Sequence, residues 1–208
     1  MKKLYLLRHG QTEFNVKKLV QGRCDSPLTD LGRKQAGMAA AWLKAHGVVP
    51  DKVVSSPLDR AMDTAQLVAT ELLGADADVE PCEGIIERCY GTFEEGPHDA
   101  LPTDVWDPGE DLIPFGGEGS QALQERMVDT LTNIMGADGI ETLLAVSHGS
   151  ASRQFIKAAA PKGFELPAKL PNCAIMIFDF EEEKSGEEGD APQSKFILQQ
   201  IIDPQQSN

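Results

Sequence analysis

The sequence has no long hydrophobic run. Near its start only four consecutive residues, Leu4 to Leu7, are mainly apolar, and Arg8 follows them directly. The hydrophobic core of a signal peptide needs about 7–15 apolar residues, and a membrane-spanning helix needs about 20. No segment meets either requirement, so we expect a cytoplasmic protein that does not enter a membrane.

Positive charge is also scarce. The chain of 208 residues has 19 Lys and Arg against 33 Asp and Glu, a formal net charge of -14 at pH 7. Nucleic acids and anionic membranes bind basic surfaces, so we expect neither as a partner. A small phosphorylated metabolite is compatible with the composition, because a local cluster of arginines can outweigh distant carboxylates. The sequence leaves the oligomeric state open, and a homodimer is one possibility.

Cysteine is rare and follows no ligand pattern. Cys24, Cys82, Cys89 and Cys173 include no Cys-x-x-Cys pair and no zinc-like spacing with histidine. In a reducing compartment we expect four free thiols. Cys89 lies close to a candidate catalytic residue described below, so a redox role for this thiol stays open.

Aromatic residues make up only 6% of the chain, yet 41% of the residues are hydrophobic, as in ordinary globular enzymes. We find no repeat and no domain boundary, and therefore expect a single domain over residues 1–208. Short apolar runs alternate with helical patterns, which predicts an α/β fold, a three-layer sandwich with a mostly parallel central sheet and helices on both faces. The predicted strands are residues 4–7, 53–54, 143–146, 175–178 and, at an edge, 195–202.

Three apolar stripes with helical spacing predict helices. One of these helices has a clear start, with Ser56 as the N-cap, Pro57 at the first position and Asp59 in the capping-box position, and Gly74 ends it. The stripes are Ala61, Ala65, Val68 and Leu72; Leu123, Met127, Leu131 and Ile134; and, within residues 29–46, Met38, Trp42 and Ala45.

Two segments show no such pattern. Residues 96–119 are rich in Pro and Gly but include large apolar side chains such as Trp106 and Phe115, which indicates an ordered loop that covers a site. Residues 181–194 are acidic and poor in apolar residues, and we expect a solvated surface loop there.

Polar residues follow three of the predicted strands. Arg8-His9-Gly10 ends the first strand, Ser55-Ser56-Pro57 follows the second, and Ser147-His148-Gly149 follows the strand at 143–146. Ligands of doubly wound sheets bind beyond the carboxyl ends of the strands, so these residues converge at one edge.

Arg60 supports a phosphate site at this edge. It lies in the first turn of its helix, where a cation opposes the helix dipole at a cost of about 0.3–1 kcal/mol, unless an anion lies beside it. The alternative is a surface salt bridge to Asp59 or Asp63. The convergence of Arg60 with the strand ends favours the phosphate interpretation.

Four sequence blocks carry a resemblance to a known family. Residues 7–15 (Leu-Arg-His-Gly-Gln-Thr-Glu-Phe-Asn), 21–29, 55–61 and 147–149 resemble, in this order, the motifs of the histidine phosphatase (phosphoglycerate mutase-like) superfamily. The resemblance implies a phosphatase in which His9 attacks phosphorus, Glu87 is the general acid, and no metal or other cofactor is needed. It implies that Arg8, Asn15, Arg60 and His148 hold the phosphoryl group, with Gln21, Gly22 and Gly149 as further substrate-binding residues.

The choice of Glu87 leaves Glu83, Glu94 and Glu95 as competitors. Of the other histidines, His46 is expected to close a helix, and His98 is a possible substrate contact.

A phosphoglycerate mutase is the main alternative activity, and a non-catalytic phosphate binder is a third. Residues 90–117 contain no Lys or Arg, although mutases of this family carry basic residues after the acid to hold a second anion. This segment contains seven carboxylates, which predicts a monophosphate substrate with a neutral or apolar remainder. Arg23 or Arg153 could still contribute charge from outside the segment. The seven are Glu94, Glu95, Asp99, Asp104, Asp107, Glu110 and Asp111.

Overall fold

The structure is a computed structural model and describes residues 1–161, 163–182 and 194–206. Six strands in this part of the chain form one sheet with the order β3-β2-β4-β1-β5-β6. All five predicted strands are present, and β3 is an additional short one. The strands are β1 (Lys2–Arg8), β2 (Lys52–Ser55), β3 (Glu80–Pro81), β4 (Thr142–Ser147), β5 (Ile175–Glu182) and β6 (Ser194–Ile202).

The predicted, mostly parallel sheet is confirmed. Strands β1, β2, β3 and β4 run parallel, whereas β5 pairs antiparallel with β1 and β6 pairs antiparallel with β5. Strand β6 lies at the edge, as expected. Because β5 runs in the opposite direction, its first residues lie at the edge of the sheet where β1 and β4 end.

Helices cover both faces of the sheet, which confirms the three-layer prediction. Helices α2 and α3 pack on one face, and α4 and α5 pack on the other. The helices are α1 (Glu13–Lys17), α2 (Asp30–Ala45), α3 (Asp59–Leu73), α4 (Ser120–Met135) and α5 (Gly149–Ala159).

The central strands are apolar on both sides because each side meets helices. In β1, Leu4 and Leu6 pack with the core beneath α4 and α5, and Leu7 packs with the core beneath α2 and α3. All three are 0% exposed. Burial of each leucine contributes about 1.5–3 kcal/mol to the free energy of folding. These contacts hold β1 in place, and β1 in turn positions His9, the residue that follows it.

The predicted start of α3 is wrong. The helix begins at Asp59 with Leu58 as N-cap and without a side-chain cap hydrogen bond from it. The Ser56 hydroxyl instead lies 2.6 Å from Nε2 of His148. The carboxylate of Asp25, from a distant segment, accepts the backbone N–H of Asp59 at 2.7 Å. A tertiary contact therefore replaces the local cap.

The apolar stripe predicted for the helix within residues 29–46 is wrong except at Trp42, which packs against the core. Met38 is 44% exposed, Ala45 is exposed, and Trp42 is only partly buried and stacks on His46 at 3.8 Å. The buried face consists of smaller residues because α2 packs closely against α3, where small side chains allow the approach. The buried apolar residues of α2 are Ala36, Ala39, Ala40 and Leu43.

The other two stripes agree better with the structure. In α3, Ala61, Ala65 and Val68 are 0% exposed, and Leu72 packs against the same core. In α4, Leu123, Met127 and Leu131 are fully buried, whereas Met135 rather than Ile134 completes the buried face.

Residues 96–119 are ordered, as predicted. They contain two short 3-10 helices, and Leu101 and Leu112 form a small third core with Val20 and Tyr90. Of the predicted acidic loop, residues 183–193 lie outside the described residues. No helix in the described ranges is long and apolar enough to cross a membrane, and all four cysteines are free. The cytoplasmic location stays a prediction.

Candidate active site

A cavity of about 470 Å³ opens at the edge of the sheet where β1 and β4 end. Its volume lies within the range of roughly 300–1,000 Å³ that is usual for small-molecule sites. Eight of the nine predicted site residues line it. The ninth, His148, is 0% exposed, and its ring centroid lies 5.2 Å from that of His9.

His9 follows β1 and is held in one tautomer. Its Nδ1 lies 2.7 Å from the carbonyl oxygen of Gly10, and because a carbonyl only accepts, Nδ1 must carry the proton. Nε2 therefore has a free electron pair. Burial, Arg60 and Arg8, in this order of effect, lower the pKa of His9 well below its usual value. The imidazole is thus neutral and able to act as a nucleophile at neutral pH.

Two buried arginines lie next to His9. Arg60, at 1% exposure, donates from Nη2 to the carbonyl of Gly22 at 2.7 Å and from Nη1 to Asp25 at 3.0 Å. Arg8 donates from Nη1 to the carbonyl of Leu170. Burial lowers the pKa of Arg8 to about 10, so it stays charged at neutral pH. The predicted alternative, a salt bridge from Arg60 to Asp59 or Asp63, is not formed, since Arg60 pairs with Asp25.

Each of these cations has a buried donor without a partner. Among the described residues, Nε of Arg8 and Nε of Arg60 are buried and have no hydrogen-bond acceptor. Nδ1 of His148 is likewise buried without a partner, while its Nε2 contacts the Ser56 hydroxyl. If that hydroxyl donates to Nε2, Nδ1 carries the proton and can donate to an oxygen of a ligand.

Glu87 is the only glutamate or aspartate among the described residues that line the cavity. Its carboxylate caps α5, accepting the N–H of Ser150 at 3.2 Å and of Ala151 at 2.9 Å. Of its competitors, Glu94 accepts the backbone N–H of Tyr90 at 2.9 Å and does not line the cavity. Glu83 and Glu95 are also absent from the cavity wall.

Asn15 lies in the short helix α1 and is oriented by its neighbours. Its Oδ1 accepts from the backbone N–H of Thr12 at 3.2 Å and from Nδ2 of Asn172 at 3.2 Å. The amide nitrogen of Asn15 is therefore the group left to donate into the cavity. Asn172 also donates to the carbonyl of His9 at 3.1 Å.

Two glycines allow the backbone to approach the site closely. Gly22 has φ +54, and a Cβ there would lie 2.2 Å from Oε1 of Glu94. A Cβ on Gly149, at the start of α5, would lie 2.8 Å from the ring of Trp106. Oε1 of Gln21, the remaining predicted binding residue, is buried without a partner in the described part of the chain.

A family model covers most of the chain. The model of the histidine phosphatase superfamily (branch 1) matches residues 4–188. The chain belongs to this superfamily. The family resemblance deduced from the sequence blocks is therefore confirmed, and the α/β fold agrees with it.

Curated relatives carry both activities that the sequence left open. The chain is 32% identical over 193 residues to a probable phosphoglycerate mutase, GpmB, of Cronobacter sakazakii, which covers 88% of this chain and 86% of that protein. It is 31% identical over 158 residues to the broad-specificity phosphatase YOR283W of Saccharomyces cerevisiae, which covers 74% of this chain and 69% of that protein.

Solved structures share the fold. A mutant phosphoserine phosphatase from Entamoeba histolytica in complex with phosphoserine superposes with a TM-score of 0.72 at 27% identity, covering 99% of this chain and 98% of that one. A mycobacterial glucosyl-3-phosphoglycerate phosphatase reaches a TM-score of 0.75 at 22% identity, covering 96% and 98%, which supports the fold alone.

Several residues that line the cavity were not identified from the sequence. Lys18 precedes Leu19 in the segment after α1, and Lys169 and Asn172 lie just before β5. Trp106, from the predicted covering loop, lies with its ring centroid 5.1 Å from Cζ of Arg8. Neither Arg23 nor Arg153 lines the cavity. Lys169 and Asn172 reach the cavity because β5 runs antiparallel to β1. No local sequence pattern indicates that direction, so the sequence offered no signal for these two residues.

The expected repulsion by the acidic loop is wrong. None of the seven carboxylates counted within residues 90–117 lines the cavity. Asp107 pairs with Lys157 of α5 at 2.5 Å, and Glu110 accepts the backbone N–H of Gln121 at 2.9 Å. These side chains bind the loop to the protein rather than facing a substrate.

The two remaining histidines differ in position. His46 is the exposed C-cap of α2, as expected. His98 lines the cavity, and its Nε2 lies 3.1 Å from the carbonyl of Leu19. The Cys89 thiol is partly buried and lies outside the cavity wall, so a redox role stays a prediction. No group of three or more His, Cys, Asp or Glu suited to a metal occurs among the described residues.

Proposed function

We propose that this protein is a metal-independent phosphatase that hydrolyses the phosphate monoester of a small metabolite through a phosphohistidine at His9. The observation that carries the proposal is the set of three buried nitrogens without partners, Nε of Arg8, Nε of Arg60 and Nδ1 of His148, around one neutral imidazole. An unsatisfied buried polar group costs about 1–3 kcal/mol, and more when it is charged. A phosphoryl group, with three oxygens to share among the donors, removes this cost.

The first half-reaction uses His9 and Glu87. Nε2 of His9 attacks phosphorus, and the bond from phosphorus to the ester oxygen breaks as the N–P bond forms. The leaving oxygen takes a proton from the carboxyl group of Glu87. Arg8 and Arg60 donate to the equatorial oxygens, where negative charge is spread in the transition state. Two guanidinium groups thereby supply the charge stabilisation that a metal ion supplies in other phosphatases.

The second half-reaction returns the enzyme to its starting state. The Glu87 carboxylate takes a proton from water, and the water oxygen attacks phosphorus. The N–P bond breaks, inorganic phosphate leaves, and Glu87 is again protonated. The position of Glu87 on the cavity wall supports both of its roles, because its carboxyl group can reach the leaving oxygen and later a water molecule.

A cofactor-dependent phosphoglycerate mutase is the second candidate. The identity of 32% with a probable phosphoglycerate mutase favours it, as does the presence of Lys18 and Lys169 in the cavity. The absence of Lys and Arg from residues 90–117 favours the phosphatase. Among the relatives, a broad-specificity phosphatase at 31% identity supports the same choice.

Trapping of the phosphoenzyme tests the proposal. The parent protein, mixed with ³²P-labelled substrate in the presence of EDTA and quenched in base, should hold an acid-labile, base-stable phosphoryl label. The His9→Ala variant should hold none, and its turnover should fall roughly a thousandfold or more because the nucleophile is gone.

The matched control is His46→Ala, which removes an exposed histidine at the end of α2. It should label and turn over like the parent. Turnover of His9→Ala within tenfold of the parent, or a parent that needs added metal after EDTA, would contradict the proposed mechanism.

A further inference from the structure

The cavity gathers positive charge in a chain of net charge -14. Four cationic side chains line it, and Glu87 is the only carboxylate among its described lining residues. Arg8 and Arg60 belong to the phosphate site at His9. Lys18 and Lys169 have no part in the reaction proposed above, and no ion pair of either lysine occurs within the described ranges.

Lys18 is tied to the phosphate site through its backbone. It ends α1 with φ 54, a left-handed conformation that is uncommon for a residue with a side chain. Its N–H donates to the carbonyl of Asn15 at 3.3 Å, and Asn15 itself lines the cavity. The turn that presents the Asn15 amide to the phosphate site therefore also places Lys18 at the mouth of the cavity.

Lys169 is tied to the same site from a different segment, the one that leads into β5. It directly precedes Leu170, whose carbonyl accepts from Arg8. The following residues lead through Asn172, which donates to the carbonyl of His9 at 3.1 Å. Lys169 therefore directly precedes a residue that hydrogen-bonds to Arg8, and this contact holds the backbone of Lys169 close to the phosphate site.

His98 shows that both ammonium groups act on one region. The carbonyl of Lys18 accepts the backbone N–H of His98 at 3.1 Å. Burial lowers the pKa of the His98 imidazole, and the nearby charges of Lys169 and Lys18 lower it further, while the hydrogen bond with the Leu19 carbonyl and the charge of Asp99 raise it. Two lysines on different segments thus bring positive charge to one part of the cavity wall.

We propose that Lys18 and Lys169 form a second anion subsite, so that the substrate is a phosphate monoester whose remainder carries another anionic group. The subsite rests on the proposed function, because it takes the His9 pocket as the place of the scissile phosphate. Both side chains are exposed at the mouth, where a carboxylate or a second phosphate can reach them. This substrate class replaces the neutral remainder that the acidic loop predicted, since those carboxylates lie outside the cavity wall.

Calorimetric binding tests the subsite without turnover. The His9→Ala protein is titrated with three ligands that share a three-carbon skeleton: glycerol 3-phosphate, 3-phosphoglycerate and glycerol 1,3-bisphosphate. The first has a neutral remainder, the second adds a carboxylate and the third adds a phosphate. We expect at least one doubly anionic ligand to bind about tenfold or more tightly than glycerol 3-phosphate, and the stronger of the two identifies the anion.

Charge variants assign the preference to the two lysines. Lys18→Gln and Lys169→Gln, each in the His9→Ala protein, should reduce the preference about fivefold, as expected for one opposite charge at about 4 Å in water. Lys18→Arg, which keeps the charge, should retain it. Lys34→Gln makes the same charge change on the exposed face of α2, and should leave the preference as it is. Added salt should weaken the preference.

Three results would overturn the subsite: equal affinity for all three ligands, no detectable binding of any of them, or a preference that both glutamine variants retain. Each can occur while the parent still forms phosphohistidine, so failure of the subsite leaves the proposed function standing. Lysine-dependent binding of a dianionic ligand together with no phosphohistidine in the parent would overturn the proposed function alone.

Discussion

Single residues in this site serve the fold and the chemistry together. Glu87 caps α5 through the N–H groups of Ser150 and Ala151, and its carboxylate also lines the cavity. A carboxylate at a helix N-terminus is favoured by the helix dipole by about 0.3–1 kcal/mol. The helix thereby holds in place the group that we propose as proton donor.

Glu87→Gln tests this role through the leaving group. Glutamine keeps the shape and an oxygen for the two N–H groups, but it has no proton to give. We expect turnover of an alkyl phosphate to fall about 10²–10⁴-fold. With p-nitrophenyl phosphate, whose leaving group needs no proton, rapid-mixing absorbance should show a burst of nitrophenolate near the parent rate, followed by slow turnover, because the second step still needs a base.

Glu83→Gln is the matched control, since Glu83 lies off the cavity wall, and it should behave as the parent does. Loss of the nitrophenolate burst in Glu87→Gln would show that this carboxylate does not act mainly in proton transfer.

Among the secondary-structure elements, α3 depends on a partner from outside its own sequence. The Asp25 carboxylate accepts the backbone N–H of Asp59 at 2.7 Å and pairs with the Arg60 guanidinium at 3.0 Å. It therefore supplies the missing cap and orients one of the two arginines of the phosphate site. Within this ion pair, the Arg60 side chain is shielded from solvent at 1% exposure, whereas the Asp25 side chain is 31% exposed.

Asp25→Ala should affect both stability and catalysis. We expect the free energy of unfolding to fall by about 1 kcal/mol, the usual cost of a lost cap, as measured by urea denaturation. We also expect kcat/KM to fall roughly tenfold, since a displaced guanidinium loses about 1.4 kcal/mol of transition-state stabilisation.

The control for Asp25 is Asp51, whose Oδ2 accepts the N–H of Glu141 at 2.9 Å and of Thr142 at 2.8 Å at the opposite end of β4. Asp51→Ala should lose similar stability and keep its kcat/KM. If the two variants have equal kcat/KM, Asp25 acts on the fold alone.

For the whole molecule, the main question is where the phosphoryl group goes from His9. A mutase has to keep water away from its phosphohistidine until the product takes the phosphate back. Here Lys18 and Lys169 are exposed at the mouth of the cavity, so water reaches the second-anion end of the site. The proposed phosphatase activity requires that water also reach the phosphohistidine at the inner end of the cavity.

Product analysis tests this choice. With 3-phosphoglycerate and 2,3-bisphosphoglycerate together, we expect inorganic phosphate to be released and little 2-phosphoglycerate to form. A colorimetric assay measures the inorganic phosphate, and ³¹P NMR measures the 2-phosphoglycerate. Rapid formation of 2-phosphoglycerate with little phosphate would instead identify a mutase.

Much of the phosphate site could be predicted from local sequence. Arg8 is the last residue of β1, His9 directly follows it, and His148 directly follows β4. Neighbouring parallel strands end at the same edge of a sheet, so the end of each strand determines where these residues lie. The family resemblance then supplied the expectation for Glu87, which the structure places on the cavity wall.

The rest depended on contacts between distant segments. Asp25 replaces the predicted Ser56 cap, and the antiparallel direction of β5 brings Lys169 to the cavity. The carboxylates of the irregular loop turn to partners such as Lys157 instead of the substrate. A regular strand or helix has a period that assigns each side chain to a face, whereas an irregular segment has none. By itself, the sequence determined the residues that end regular strands, and only the tertiary structure decided which loop side chains join them.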